Sequence, residues 1–349
     1  ITMPPTMQFE PIILASHKWS ATPHVPLYLF FGGLTAGLLI VAALAEIAGW
    51  KYPRFDPLAR VAAYLAIPCA GLGGFFISAH LGKPERGILF PFFFTNYSSW
   101  MTWGGWILGS VSLIAIAYGA LWYFRAGKGA RTVVALLGLV IAPLLAMYTG
   151  WLLSGFGTIH GFTPLWSHKY LPIMFLNSGV TTGVACASLG LLVARYLSMR
   201  WPWVGVSLPS QELSNVLRWT TVVLAGAILL EAYELYSFLT HLATGSPEKG
   251  GPYVYHILTK GDLAPWFWWG FVVPGLAIPL ILGLVGIFAQ ARKPIPALAG
   301  AYFSLALIGG LVLRFLIVTG GDMVKQPLPF PPWGAVYGIG AEGGPGAKK

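Results

Sequence analysis

The chain has 349 residues, of which 56 % are hydrophobic and 9 % charged, and its mean hydropathy is +0.71. Water-soluble domains carry roughly 25 % charged residues, so this composition excludes an ordinary soluble fold and makes lipid the solvent for most of the surface. The net charge of +10 comes from Lys and Arg scattered singly between apolar runs, the pattern of membrane topology, with no basic tail or helix that would bind nucleic acid.

Eight apolar stretches follow in order, at residues 27–50, 61–79, 100–124, 132–153, 171–196, 216–239, 265–289 and 297–318. Each is long enough to cross a bilayer as a helix, and Lys, Arg, Pro, Asp or Glu breaks the chain between them. The fold class is therefore an all-α integral membrane protein. Residues 1–26 are expected to form an outer segment, 27–153 a first four-helix bundle, 154–170 an outer connection, 171–321 a second bundle and 322–349 an irregular outer tail. Cys69 and Cys186 lie inside apolar runs and read as small buried hydrophobes, too few for a four-thiolate metal site.

Eleven Lys and Arg fall at one end of the spans, mostly in short connections, against nine in longer segments at the other. The positive-inside rule assigns the first side to the cytoplasm and both termini to the outside. An internal repeat is superimposed on this. PLYLFFGGLTAG at 26–37 matches PIMFLNSGVTTG at 172–183, His80-Leu81 matches His241-Leu242, Trp100, Trp103 and Gly104 match Trp266, Trp269 and Gly270, and Thr149-Gly150 matches Thr319-Gly320. With four spans per copy, both halves have the same orientation, giving two parallel-repeat four-helix bundles.

Candidate chemistry gathers near the side assigned outside. His24 and Tyr28 share a face if the first helix starts early, and such a pair binds or protonates a ligand oxygen; Pro26 is compatible only within the first turn. Tyr148, in the outer part of the fourth span, faces the same pocket. His80 with Lys83, Glu85 and Arg86 reads either as an ion-paired surface turn or as a surface offered to a soluble partner. Asn96 and the tryptophans after it either cap a helix at the interface or close a shallow pocket. Glu231 and Glu234 lie three residues apart inside the sixth span, where a carboxylate needs protonation, a partner or water. They form a proton route or a structural buried pair, and Arg314 in the eighth span is their expected partner. Glu46 is expected at the inner interface and Asp322 just beyond the last span. No nucleotide loop, serine nucleophile or paired metal-binding histidines occur. A secondary transporter remains as an alternative, since repeats and buried carboxylates also serve alternating access, as does a haem-dependent anchor using His80 and His241.

The runs YLFFGGLTAG (28–37), HLGKPER (80–86) and NYSSWMTWG (96–104), with Tyr148-Thr149-Gly150, Pro164-Leu165-Trp166 and Leu171-Pro172, resemble the polysulfide reductase membrane-anchor family, also called NrfD-like. The resemblance extends to Gly321. It implies a prokaryotic inner-membrane or cell-membrane subunit that takes quinone or quinol as a mobile substrate near the outer surface, without haem or an iron–sulfur cluster of its own. By that resemblance Tyr148, with His24 or Tyr28, contacts the quinone headgroup. His80, Lys83, Glu85, Arg86, Asn96 and the 154–170 connection would dock an iron–sulfur subunit, with a molybdopterin catalytic subunit beyond it. Glu231 or Glu234 would belong to a proton route. The terminal substrate would be handled on another chain.

Overall fold

A computed structural model describes residues 22–80, 96–97, 99–160, 164–201, 205–206, 208–245, 251–290 and 294–323, with the side chains of 156–160 excepted. The helices are α1 (His24–Lys51), α2 (Asp56–His80), α3 (Trp100–Tyr123), α4 (Lys128–His160), α5 (Leu171–Arg200), α6 (Ser210–Thr244), the short α7 (Gly251–Thr259), a π-helical stretch (Trp266–Ala277) continuing into α8 (Ile278–Ala289), and α9 (Pro296–Met323). No strand occurs among the described residues. Among the described residues, eight spans are long and apolar enough to cross a membrane, as the hydropathy pattern predicts. The protein is an all-α integral membrane protein.

Lipid tails are as apolar as leucine, so close packing, not water exclusion, decides which helices touch. α1 is the central element: 83 % of its most apolar window is buried, against 28–56 % for the other spans. It packs on α2, α4 and α5 and touches α9. Large apolar side chains such as Leu113, Val140, Trp269 and Phe288 stay exposed on the outer helices, where lipid covers them.

Glycine makes the centre possible. A Cβ on Gly37 would strike the carbonyl of Gly179 and lie 3.0 Å from Cα of Gly183, and one on Gly183 would strike the Gly37 backbone. The two glycines of one matched segment thus pack directly on those of the other. Overpacking a close-packed contact costs about 2 kcal/mol, so Gly37→Ala is expected to lower the midpoint of thermal inactivation in detergent. Gly71→Ala, where an added Cβ meets nothing within 4 Å, is expected to leave it unchanged.

The helix ends differ from the hydropathy limits where polar residues find partners. α4 runs on to His160, past the apolar stretch that ends at Leu153. α9 continues to Met323, so Asp322 lies on the helix and is only 8 % exposed, not beyond the span as expected. Glu46 is a further correction. It is not interfacial but fully buried, because Tyr118 on α3 donates to its Oε2 at 2.8 Å and Arg131 on α4 lies 3.5 Å from its Oε1. Nearby, Lys128 donates to the carbonyl of Gly49 at 2.6 Å and pairs with Asp56 at 3.0 Å, satisfying the last turn of α1. These contacts tie four helices together on the basic face.

Candidate functional site

α1 begins at His24, before Pro26, which sits in the first turn where a missing N–H is harmless. His24 and Tyr28 are therefore on one helix at i and i+4, as the spacing requires. The His24 ring is half-buried and packs against Phe76 of α2, centroids 6.3 Å apart. Tyr28 is 2 % exposed, and its phenol lies beside that of Tyr148 without forming a strict hydrogen bond. Tyr148, also 2 % exposed, reaches this position because α3 carries Gly104 opposite it. A Cβ there would overlap the Tyr148 ring and hydroxyl.

Toward the membrane surface from Tyr148, successive turns of α4 present Trp151 and Ser154. Trp100 stacks on Trp151 at 5.7 Å and lies 6.4 Å from the His168 ring, and Ser154 Oγ is 3.1 Å from His168 Nδ1. His168 is exposed. Nothing local in the sequence singles it out among the outer histidines, because its partner Ser154 is 14 residues away, beyond any local pattern. The tyrosine pair thus lies beneath a rim of indole and imidazole.

The family motifs converge on this packing. Gly150 lies so close to Leu171 and Pro172 that a Cβ would fall 2.6 Å from the Pro172 backbone. Trp166 is buried and donates to the carbonyl of Ile317 at 2.9 Å, while Gly321 leaves room for its indole. The segment before α5 is therefore pinned to the end of α9.

The charged candidates form a second cluster, deeper in the membrane. Thr181 of α5 donates to Glu231 at 3.2 Å, and Asn177 one turn away donates to Glu234 at 3.5 Å. Ser178 lies beside Glu231 without forming a strict hydrogen bond. Arg314 of α9 is 1 % exposed, close enough to Glu231 for electrostatic attraction but not in direct ion-pair contact. Its Nη2 donates to the carbonyl of Phe175 at 3.3 Å and its guanidinium lies 4.0 Å from the Phe175 ring centroid, while Nε and Nη1 have no hydrogen-bond partner.

α1 separates the two groups. Gly32 faces Thr149, next to Tyr148, and a Cβ on Gly33 would sit 3.2 Å from Nη2 of Arg314. At 1.5 Å per residue, Gly33 is about 8 Å deeper than Tyr28 along the helix. The structure therefore brings Tyr28 to Tyr148, and Glu231 to Glu234 and Arg314, on adjacent sides of one helix.

Among the expected docking residues, His80 ends α2 and is half-buried. Asn96 accepts hydrogen bonds at its carbonyl from Ser99 N–H at 3.1 Å and Thr102 Oγ1 at 2.8 Å, and Ser99 accepts from Met101 N–H, so this segment caps α3. Lys83, Glu85 and Arg86 lie outside the described residues. Cys69 and Cys186 are unlinked thiols.

Comparison with known proteins gives a consistent assignment. The chain is 27 % identical to Protein NrfD of Escherichia coli (strain K12), covering 86 % of this chain and 94 % of that protein. It is 26 % identical to a polysulfide reductase subunit of Wolinella succinogenes, covering 85 % and 93 %. It is 27 % identical to the Hdr-like menaquinol oxidoreductase integral membrane subunit of Archaeoglobus fulgidus, covering 73 % of this chain and 60 % of that protein. The family model described as polysulphide reductase, NrfD, matches residues 15–325, and the chain belongs to that family.

Proposed function

We propose that this chain is the quinone-reactive membrane anchor of an oxidoreductase complex, exchanging electrons between the quinone pool and an iron–sulfur subunit docked at the tyrosine face. The carrying observation is the buried contact between the Tyr28 and Tyr148 phenols beneath the Trp100 and His168 rim. A phenol both donates and accepts, so the pair fits a headgroup whose oxygens alternate between carbonyl and hydroxyl. The names of two relatives, a polysulfide reductase subunit and a menaquinol oxidoreductase subunit, support this reading.

Quinone carries the redox chemistry, and the residues of this chain hold and orient it. Tyr148, aided by Tyr28 or His24, positions an oxygen of the headgroup and relays its proton. Oxidising a quinol releases the hydroxyl protons and hands its electrons to the docked cluster; reduction runs in reverse. Glu231, Glu234 and Arg314 serve proton transfer on the adjacent side of α1. His80, Lys83, Glu85, Arg86 and Asn96 belong to the docking surface, with a molybdopterin subunit beyond the iron–sulfur chain. This face lies outside the cell membrane and the basic face in the cytoplasm.

Mild-detergent purification followed by subunit identification and quinol oxidation tests the assignment. An iron–sulfur partner and inhibitor-sensitive quinol turnover are expected. A chain that purifies alone, is redox-silent and moves solute across vesicles would establish the transporter reading instead.

A further inference from the structure

Far from the tyrosines, α1, α5 and α6 enclose a groove of about 200 Å³ whose walls include Leu44, Ala45, Phe55, Val184, Trp219 and Val223. Its polar wall groups are the indole N–H of Trp219 and the hydroxyl of Thr220, which donates to the carbonyl of Leu217 within α6. The walls are therefore almost entirely hydrocarbon, with one indole N–H at the lipid side, which suits an alkyl chain better than a quinone headgroup or a proton path. Along α1 the groove extends from Ala48 to Ile40, about 12 Å at 1.5 Å per residue. That is close to the depth of one leaflet, about 15 Å. Leu44 is 50 % exposed and Trp219 56 %, so the groove opens sideways to lipid.

The end of the groove at the basic face is unbalanced in charge. Arg54, next to the wall residue Phe55, lies over the Tyr52 ring and pairs with one carboxylate at only 3.9 Å, that of Glu212, and its Nε is buried without a hydrogen-bond partner. Arg218, next to Trp219, and Lys51, at the end of α1, are exposed, and among the described residues no acid pairs with either. The neighbouring cations are already engaged: Arg60 donates to the carbonyl of Gly205, and Lys128 is held by Asp56. Three cations against one carboxylate leave a positive rim within reach of a headgroup, and long basic side chains extend readily to that level.

We infer that this groove binds an anionic phospholipid of the basic-face leaflet, one acyl chain lying between α1 and α6 and the phosphate held by Arg54 and Arg218.

The test uses the protein as extracted from its native membrane in mild detergent, with retained lipids quantified by mass spectrometry against the bulk membrane. The wild type is expected to be enriched in anionic over zwitterionic phospholipid. Each basic contact is worth a factor of about five, so Arg54→Gln with Arg218→Gln is expected to reduce that preference about 30-fold. Val223→Trp fills the groove from its half-exposed lipid side without disturbing the core, and is expected to lower the amount of retained lipid. Retained lipid matching the bulk membrane, a preference unchanged in the double variant, or a photo-crosslinker at residue 223 capturing a helix of another subunit would each overturn the inference.

Discussion

Tyr148→Phe is expected to lower quinol-linked turnover roughly a hundredfold, the usual scale for losing a positioned proton-transfer group. The substitution keeps the ring that fills the space opposite Gly104 and removes only the hydroxyl that meets Tyr28. Losing this polar contact costs at most about 1 kcal/mol of stability, too little to prevent assembly. Co-purification of the docked subunits should therefore be unchanged while steady-state quinol oxidation collapses. Tyr28→Phe is expected to act in the same direction. Turnover that survives Tyr148→Phe would remove this residue from the site, and a complex that no longer assembles would make the pair structural.

Arg314→Met is expected to destabilise the protein by about 2 kcal/mol, the cost of losing a buried charged donor and its attraction for Glu231. Arg314 and Glu231 are both at most 2 % exposed, at the junction of α5, α6 and α9. Adding Glu231→Gln to Arg314→Met removes the stranded carboxylate and is expected to recover a large part of the loss, measured as thermal inactivation in detergent. Glu231→Gln alone separates folding from proton transfer. On the proposed route it retains assembly and quinone binding but slows the pH change that accompanies turnover in vesicles. A variant with unaltered proton movement would leave the cluster as a structural element.

The spans are legible in the sequence because lipid imposes one demand, about twenty apolar residues without unsatisfied backbone, and this demand is written locally. Glu231, Glu234 and Arg314 are legible for a related reason: a charge placed in an apolar run is costly enough to mark itself. Glu46 misleads because its cost is met by Tyr118 and Arg131 on two other helices, which no local pattern reveals. The tyrosines are each visible, but their meeting depends on the bare backbone of Gly104 on a third helix. His168 likewise gains its place only through Ser154 and Trp100. The π-helical turn pattern of residues 266–277 has no signal beyond Pro274, whose missing N–H an α-helical ladder would need at that point.

On the repeat proposed from the sequence, the two halves would differ in chemistry. The positions corresponding to Tyr28 and Tyr148 in the second half are Met174 and Val318, and those corresponding to Glu231 and Glu234 in the first half are Ala70 and Gly73. On that proposed repeat the phenols would belong to one half and the membrane carboxylates to the other, on adjacent sides of α1.

The most direct test of the central claim is photolabelling of the purified complex with an azidoquinone, followed by peptide mapping. The account predicts label on α1 around Tyr28 and on α4 around Tyr148, displaced by excess unlabelled quinone. Displaceable label confined to the groove beside Trp219, or to the Glu231 and Arg314 cluster, would contradict it.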